Sequence, residues 1–231
     1  MEERTFSARL GCRYLLRVPE HTDSRTVLVV ALHGFSQNPE DMLSLTAEMV
    51  GPRPAIAAIE GPYGFFLGVG VQKVGYGWIT SRRPAESIRL HHEMVSHVLE
   101  EAGHELAIPA ERRVLLGFSQ SVSLNYRFAA AYPDAIGGVA AICGALPGDW
   151  DDARPIPLRP AVLHIARTHD EFYPVERTEQ YARRLRLRCD DVDFQLLPGG
   201  HSFPSGAGAI WENWLNRIAV VATAPQSEPR P

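Results

Sequence analysis

Short apolar runs recur along the chain, and turn-forming residues close most of them. Residues 26–32 (Thr-Val-Leu-Val-Val-Ala-Leu) are the most apolar and β-branched, and read as a central strand. Ala55–Ile59, 114–116, 135–143, 161–166 and Val192–Leu197 follow. Parallel strands buried on both faces have this signature.

Helical periods fill the gaps between the runs. Pro39 opens one helix, with Asn38 as its N-cap. Ile88, His92, Val95 and Leu99 recur at three and four within 84–103, as on one face of a helix. Val122, Tyr126, Ala129 and Ala130 do the same after Ser119. Residues 174–188 predict an arginine-rich helix, and 206–222 a closing helix with Trp211, Trp214, Leu215 and Ile218 on one face. Strands alternating with helices predict an α/β chain, with a mainly parallel sheet covered on both faces. Residues 4–18 predict an N-terminal hairpin, and 147–160 a polar, proline-rich connection. No Gly/Ser-rich linker divides the chain, so residues 1–223 are expected to form one domain, with 224–231 a frayed proline-rich tail.

A chain of 231 residues is long enough for one large α/β domain. With 45% hydrophobic and 22% charged residues it reads as an ordinary soluble protein. The net charge of −4 comes with no basic stripe, which argues against nucleic acid as a partner. The Met-Glu-Glu-Arg start has no apolar leader, and no run approaches a membrane span, so the cytoplasm is the expected setting. Cys12, Cys143 and Cys189 are too widely spaced for a disulfide framework or a metal-ligand cluster, and neither metal nor cofactor is expected.

The chemistry gathers at the ends of the runs, where open α/β sheets place their ligand sites. Gly117-Phe118-Ser119-Gln120-Ser121 joins a strand to a helix and matches four of the five positions of G-x-S-x-G, the nucleophile elbow. Asp170 and His201 follow other runs, giving the order Ser, Asp, His that α/β-hydrolases use. A serine hydroxyl needs a base to take its proton, and His201 suits that task near neutrality. Asp170 would then set the tautomer of His201 and stabilise its imidazolium.

Each residue has a plainer reading. Ser119 and Asp170 can be helix caps, and His201 a surface side chain. Among the other histidines His169 ranks next as a base, His164 reads as core, and His91, His92, His97 and His104 read as solvated or structural. The charge that develops on a substrate oxygen needs fixed donors, for which the backbone N–H groups of Phe35 and Gln120 are candidates. His33 reads as a brace for that loop. Residues 61–83 interleave glycines with aromatics and admit two readings, a pocket-lining loop or aromatics packed down on the core. On the first, Phe65, Phe66, Tyr76 and Trp78 line the substrate pocket.

Leu32-His33-Gly34, Gly117-Phe118-Ser119-Gln120, Cys143-Gly144-Ala145-Leu146-Pro147, Asp170 and Gly200-His201 together resemble the phospholipase/carboxylesterase family of α/β-hydrolases, over residues 27–214. That family includes small bacterial carboxylesterases and acyl-protein thioesterases. The resemblance implies an α/β-hydrolase fold without a large cap domain. It implies a serine carboxylesterase for small to medium acyl esters, with the triad Ser119, Asp170 and His201 and oxyanion donors at Phe35 and Gln120. Acyl-protein thioesters, lysophospholipids and feruloyl or aryl esters are alternative substrates. A homodimer is compatible with it. The family pattern continues Gly-Phe-Ser-Gln-Gly-Gly, whereas here Ser121 and Val122 stand after Gln120 and must fit a tight turn. That departure motivates a reading of another class, a catalytically silent binding protein on the same fold.

Overall fold

The computed structural model describes residues 1–223 apart from 3, 7, 71 and 152–156. The tail expected at 224–231 lies outside the described residues, as does the middle of the 147–160 connection. In chain order the first elements are β1 (Tyr14–Arg17), β2 (Leu28–Leu32), α1 (Pro39–Val50), β3 (Ala55–Ile59), β4 (Tyr63–Phe66), β5 (Val74–Gly77) and α2 (Pro84–Glu105). Then come β6 (Arg113–Phe118), α3 (Gln120–Ala131), β7 (Gly138–Ile142), β8 (Ala161–Arg167), α4 (Val175–Thr178), α5 (Tyr181–Arg186), β9 (Val192–Leu197) and α6 (Gly208–Thr223).

Seven strands form one sheet in the order β1-β3-β2-β6-β7-β8-β9. All its pairs are parallel except β1 with β3. Every residue of β2, β3 and β7 is buried, which is why these strands read as unbroken apolar runs. One face packs Trp78, Val95, Leu99, Tyr126 and Phe128. The other packs Met42, Met49, Trp211 and Trp214. Asn38 caps α1 as expected, its side chain accepting from the Asp41 amide at 2.8 Å. Among the described residues no helix is long and apolar enough to cross a membrane.

Two expectations are corrected. Among the described residues no N-terminal hairpin forms: Tyr14–Arg17 instead adds antiparallel to the edge of β3, with Tyr14 opposite Ile59. Phe6 and Leu10, upstream, are exposed. The helix expected over 174–188 is two short ones, α4 and α5. Thr178, Tyr181 and Leu185 are their only buried side chains, too few to hold one longer helix on the sheet.

Three histidines are sealed inside this core. His91 meets the Asn125 side chain at 3.2 Å, and His164 Nδ1 shares a hydrogen bond with the Tyr126 hydroxyl at 2.8 Å. Burial lowers both to about 3, and lowers His33 in the same direction. Unfolding lets each ring return to about 6.5 and take up a proton. For His91 and His164 stability is therefore intact above about pH 6.5 and is lost as pH falls toward 3, at about 1.4 kcal/mol per pH unit for each of the two rings; His33 acts in the same direction. Unfolding free energies from urea titrations at pH 7.5 and pH 5 are expected to differ by roughly 2 kcal/mol for each of His91 and His164, with the midpoint lower at pH 5. An unchanged midpoint would contradict neutral burial.

Candidate active site

Parallel strands deliver their carboxyl ends to one edge of the sheet, and four of those ends meet here. β2 ends in His33-Gly34-Phe35, β6 in Ser119, β8 in Asp170 and β9 in the turn that carries His201. β2 and β6 are neighbours in register, with Leu32 opposite Gly117.

Ser119 sits between β6 and α3 at φ 55°, ψ −110°, a backbone conformation that side chains rarely adopt. Its amide donates to the Ile142 carbonyl at 2.9 Å, so the turn is pinned to β7. The His201 Nε2 lies 2.9 Å from Ser119 Oγ, and His201 Nδ1 lies 2.9 Å from Asp170 Oδ2. Asp170 is buried, and its other oxygen accepts from the Phe172 and Tyr173 amides, both at 2.9 Å. Those two donors satisfy Oδ1 and leave Oδ2 for the histidine. The His201 amide donates to Glu171 Oε2 at 3.1 Å, and its ring lies among Phe118, Phe172 and Tyr173. His169 takes no part: its ring is exposed and pairs with the Thr168 hydroxyl at 3.0 Å.

The two departures at the elbow are both accommodated. Ser121 is buried, its hydroxyl donating to the Leu32 carbonyl at 2.8 Å and accepting from the Phe118 amide at 3.1 Å. The side chain is thus a strut from α3 to the end of β2. Val122 presses on the strand-end turn after β7, where a Cβ at Gly144 would stand 2.3 Å from Val122 Cβ. Glycine at 144 leaves room both for Val122 and for the Ser119 carbonyl oxygen, which a Cβ there would approach to 2.8 Å.

The loop after β2 is stitched down on both sides. Gly34 N–H donates to Gln37 Oε1 at 2.7 Å, Ser36 N–H to the Tyr76 carbonyl and Tyr76 N–H to the Gln37 carbonyl. Gly75 must be glycine, because a Cβ there would meet the Ser36 carbonyl oxygen at 2.4 Å. His33 braces from beneath: Gly61 N–H donates to its Nε2 at 3.0 Å, so Nδ1 carries the proton and donates to the Gly34 carbonyl at 2.7 Å. The amides of Phe35 and Gln120 make no hydrogen bond among the described residues and are free to serve a ligand.

The aromatics of 61–83 divide between the two readings. β4 and β5 pair as an antiparallel hairpin. Phe65 stacks on Phe35 at 5.0 Å beside the strand ends, and Phe66 is exposed. Tyr76 is half-buried, and burial, with Glu60 second, raises its phenol above the ordinary value. Trp78 is fully buried; its amide donates to Gln120 Oε1 at 2.7 Å and its indole N–H to the His33 carbonyl at 2.9 Å. It ties the loop after β2 to the start of α3 from behind.

Sequence reasoning passed over Gln37, Tyr173 and Cys143. The first stands three residues after Gly34 and the second three after Asp170, a spacing at which side chains and amides meet in a turn. Cys143, at φ 47°, brings a thiol within 4.8 Å of the ligand atoms of Asp170 and His201. Burial, and secondarily Asp170, raise that thiol to about 12, so the thiolate a metal would require is disfavoured. Its S–H points to the Ser202 carbonyl at 3.4 Å, which makes Cys143 a neutral spacer behind the pair.

No protein-family model matches the chain, and no curated protein matches it in sequence. Solved structures do match it in shape. A carboxylesterase from Bacillus cereus aligns at TM-score 0.69 and 18% identity, over 90% of this chain and 94% of that one. One from Mesorhizobium loti aligns at TM-score 0.71 and 21% identity, over 90% and 95%. Acyl-protein thioesterase 2 of Zea mays aligns at TM-score 0.67 and 17% identity, over 89% and 98%. The chain has the α/β-hydrolase fold. On that α/β-hydrolase frame, Ser119 lies at the strand-to-helix turn in the middle of the sheet. The β4–β5 hairpin projects beside the strand ends, and no described segment is large enough to form a cap domain.

Proposed function

We propose that the chain is a serine ester hydrolase that works through an acyl-enzyme, with Ser119, His201 and Asp170 as its triad. The observation that carries this reading is the unbroken relay from Ser119 Oγ through both nitrogens of His201 to Asp170 Oδ2, each step 2.9 Å. It stands on a turn whose φ of 55° lifts the hydroxyl away from the backbone of the sheet. His201 Nε2 takes the proton of Ser119 as Oγ bonds to the ester carbonyl carbon. The carbonyl electron pair moves onto oxygen, where the amides of Phe35 and Gln120 stabilise it. His201 then gives the proton to the departing alcohol. A water repeats the sequence and expels Ser119. No metal or cofactor enters these steps.

The substrates proposed are esters of small to medium acyl chains, with the Phe35–Phe65 stack as an apolar wall beside the site. Acyl-protein thioesters, lysophospholipids and aryl esters fit the same chemistry. A catalytically silent binding protein fits less well, because the feature that motivated it, Ser121, fits the elbow without displacing the relay. A fluorophosphonate is expected to add covalently to Ser119, read as a mass shift on the peptide that contains it. Folded protein that stays unlabelled would overturn the reading. Nitrophenyl esters of increasing chain length, compared with a thioester, then rank the substrates.

A further inference from the structure

The two backbone donors of the proposed oxyanion site belong to different segments, Phe35 to the loop after β2 and Gln120 to the start of α3. Such donors act well only if they already stand at about 3 Å from the oxygen before its charge forms. Two ties hold these segments to each other. One runs through Trp78, whose indole N–H donates to the His33 carbonyl at 2.9 Å and whose amide donates to Gln120 Oε1 at 2.7 Å. The other is direct. Ser121 follows Gln120, and its hydroxyl donates to the carbonyl of Leu32, at the end of β2, at 2.8 Å. The same Oγ accepts from the Phe118 amide at 3.1 Å and lies 3.1 Å from the Phe118 carbonyl oxygen, so it also grips the residue before Ser119. The side chain is wholly buried, and Gly117 leaves its seat open: a Cβ there would stand 3.1 Å from Ser121 Oγ and 2.7 Å from Asn125 Nδ2. A glycine at 121, as in the Gly-Phe-Ser-Gln-Gly-Gly pattern, has no atom that could make this tie.

We propose that Ser121 is a positioning residue, which sets the Gln120 amide against the Phe35 amide so that both reach one substrate oxygen. The inference rests on the serine-hydrolase reading above. Ser121 touches no substrate and keeps its proton throughout. Its hydrogen bonds are the same before and during the reaction, so it adds no transition-state contact of its own. It spares the site the cost of bringing two donors into register as charge develops. Both tetrahedral intermediates carry their charge on the same oxygen, so acylation and deacylation slow together when the tie is cut. Binding of the intact ester changes little, because a carbonyl oxygen is a weaker acceptor than the oxyanion it becomes. The relay from Ser119 through His201 to Asp170 uses none of the Ser121 hydrogen bonds.

The test is Ser121→Ala, which removes Oγ alone and keeps both backbone donors. With nitrophenyl acetate, kcat is expected to fall about tenfold with KM within about twofold, short of the ~10²–10³ that deleting a donor outright costs. A trifluoromethyl ketone, to which Ser119 Oγ adds to leave a tetrahedral oxyanion, should bind about tenfold more weakly. The midpoint of the acid limb of kcat/KM should not move, because His201 keeps both its partners. A kcat within twofold of the parent overturns the proposal. So does a fall in kcat with ketone affinity unchanged, or a displaced acid limb, since either puts the loss outside the oxyanion site. If the alanine variant does not fold, Ser121→Gly, the residue of the family pattern, is held to the same expectations. Ser119→Ala runs alongside. Turnover surviving in it sinks the serine-hydrolase reading itself, whereas an inactive Ser119→Ala beside an unaffected Ser121→Ala sinks only the role of Ser121.

Discussion

Alanine at position 119 is expected to reduce kcat for nitrophenyl esters by about five to six orders of magnitude, the scale seen when a triad nucleophile is removed. The reason is that Oγ is the only atom of the relay that can form the acyl bond. What survives would come from binding and from the Phe35 and Gln120 amides acting on a water attack. The fold should be indifferent. Alanine has the same Cβ as serine, so the strain at φ 55° is unchanged, and the hydroxyl's contact with His201 is at the surface of the cleft rather than in the core. Thermal unfolding should shift by no more than about 1 kcal/mol in equivalent stability, as for surface changes generally. Turnover within tenfold of the parent protein, by a variant that melts normally, would remove Ser119 from the mechanism.

Asparagine at 170 should lower kcat by about four orders of magnitude while leaving the shape of the site intact. The two backbone donors explain why the loss is so large. The Phe172 and Tyr173 amides both point at Oδ1, so that position must remain an acceptor. The new amide is therefore held with its carbonyl oxygen toward them and its NH2 toward His201. Facing a donor, His201 Nδ1 must become the acceptor, and the ring proton moves to Nε2. That nitrogen can no longer take the proton of Ser119. If the asparagine variant turned over within tenfold of the parent, Asp170 would be a turn-former and nothing more.

The strands were legible because β2, β3 and β7 have no exposed face, so nothing polar interrupts their runs. The order Ser119, Asp170, His201 could be read for a related reason: each follows a strand, and parallel strands bring their ends to one edge. What the sequence hid was non-local. Tyr14–Arg17 pairs with β3 rather than with its chain neighbours, and no local pattern encodes that choice. Trp78 in a loop rich in aromatics is the same string of letters whether it lines a pocket or fills the core. Its burial follows from hydrogen bonds to His33 and Gln120, which stand 45 and 42 residues away. Tyr173 escaped notice because its contacts exist only once the turn after Asp170 has closed over the histidine. Ser121 was read as a misfit because its acceptor, the Leu32 carbonyl, is 89 residues distant.

The contact between Val122 and Gly144 also constrains how this sequence can drift. While valine occupies 122, position 144 tolerates no side chain at all, since even a Cβ would lie 2.3 Å from Val122 Cβ. Shrinking 122 to glycine would not free it, because the Ser119 carbonyl oxygen would still stand 2.8 Å from that Cβ, so position 144 is held by the backbone of the elbow itself.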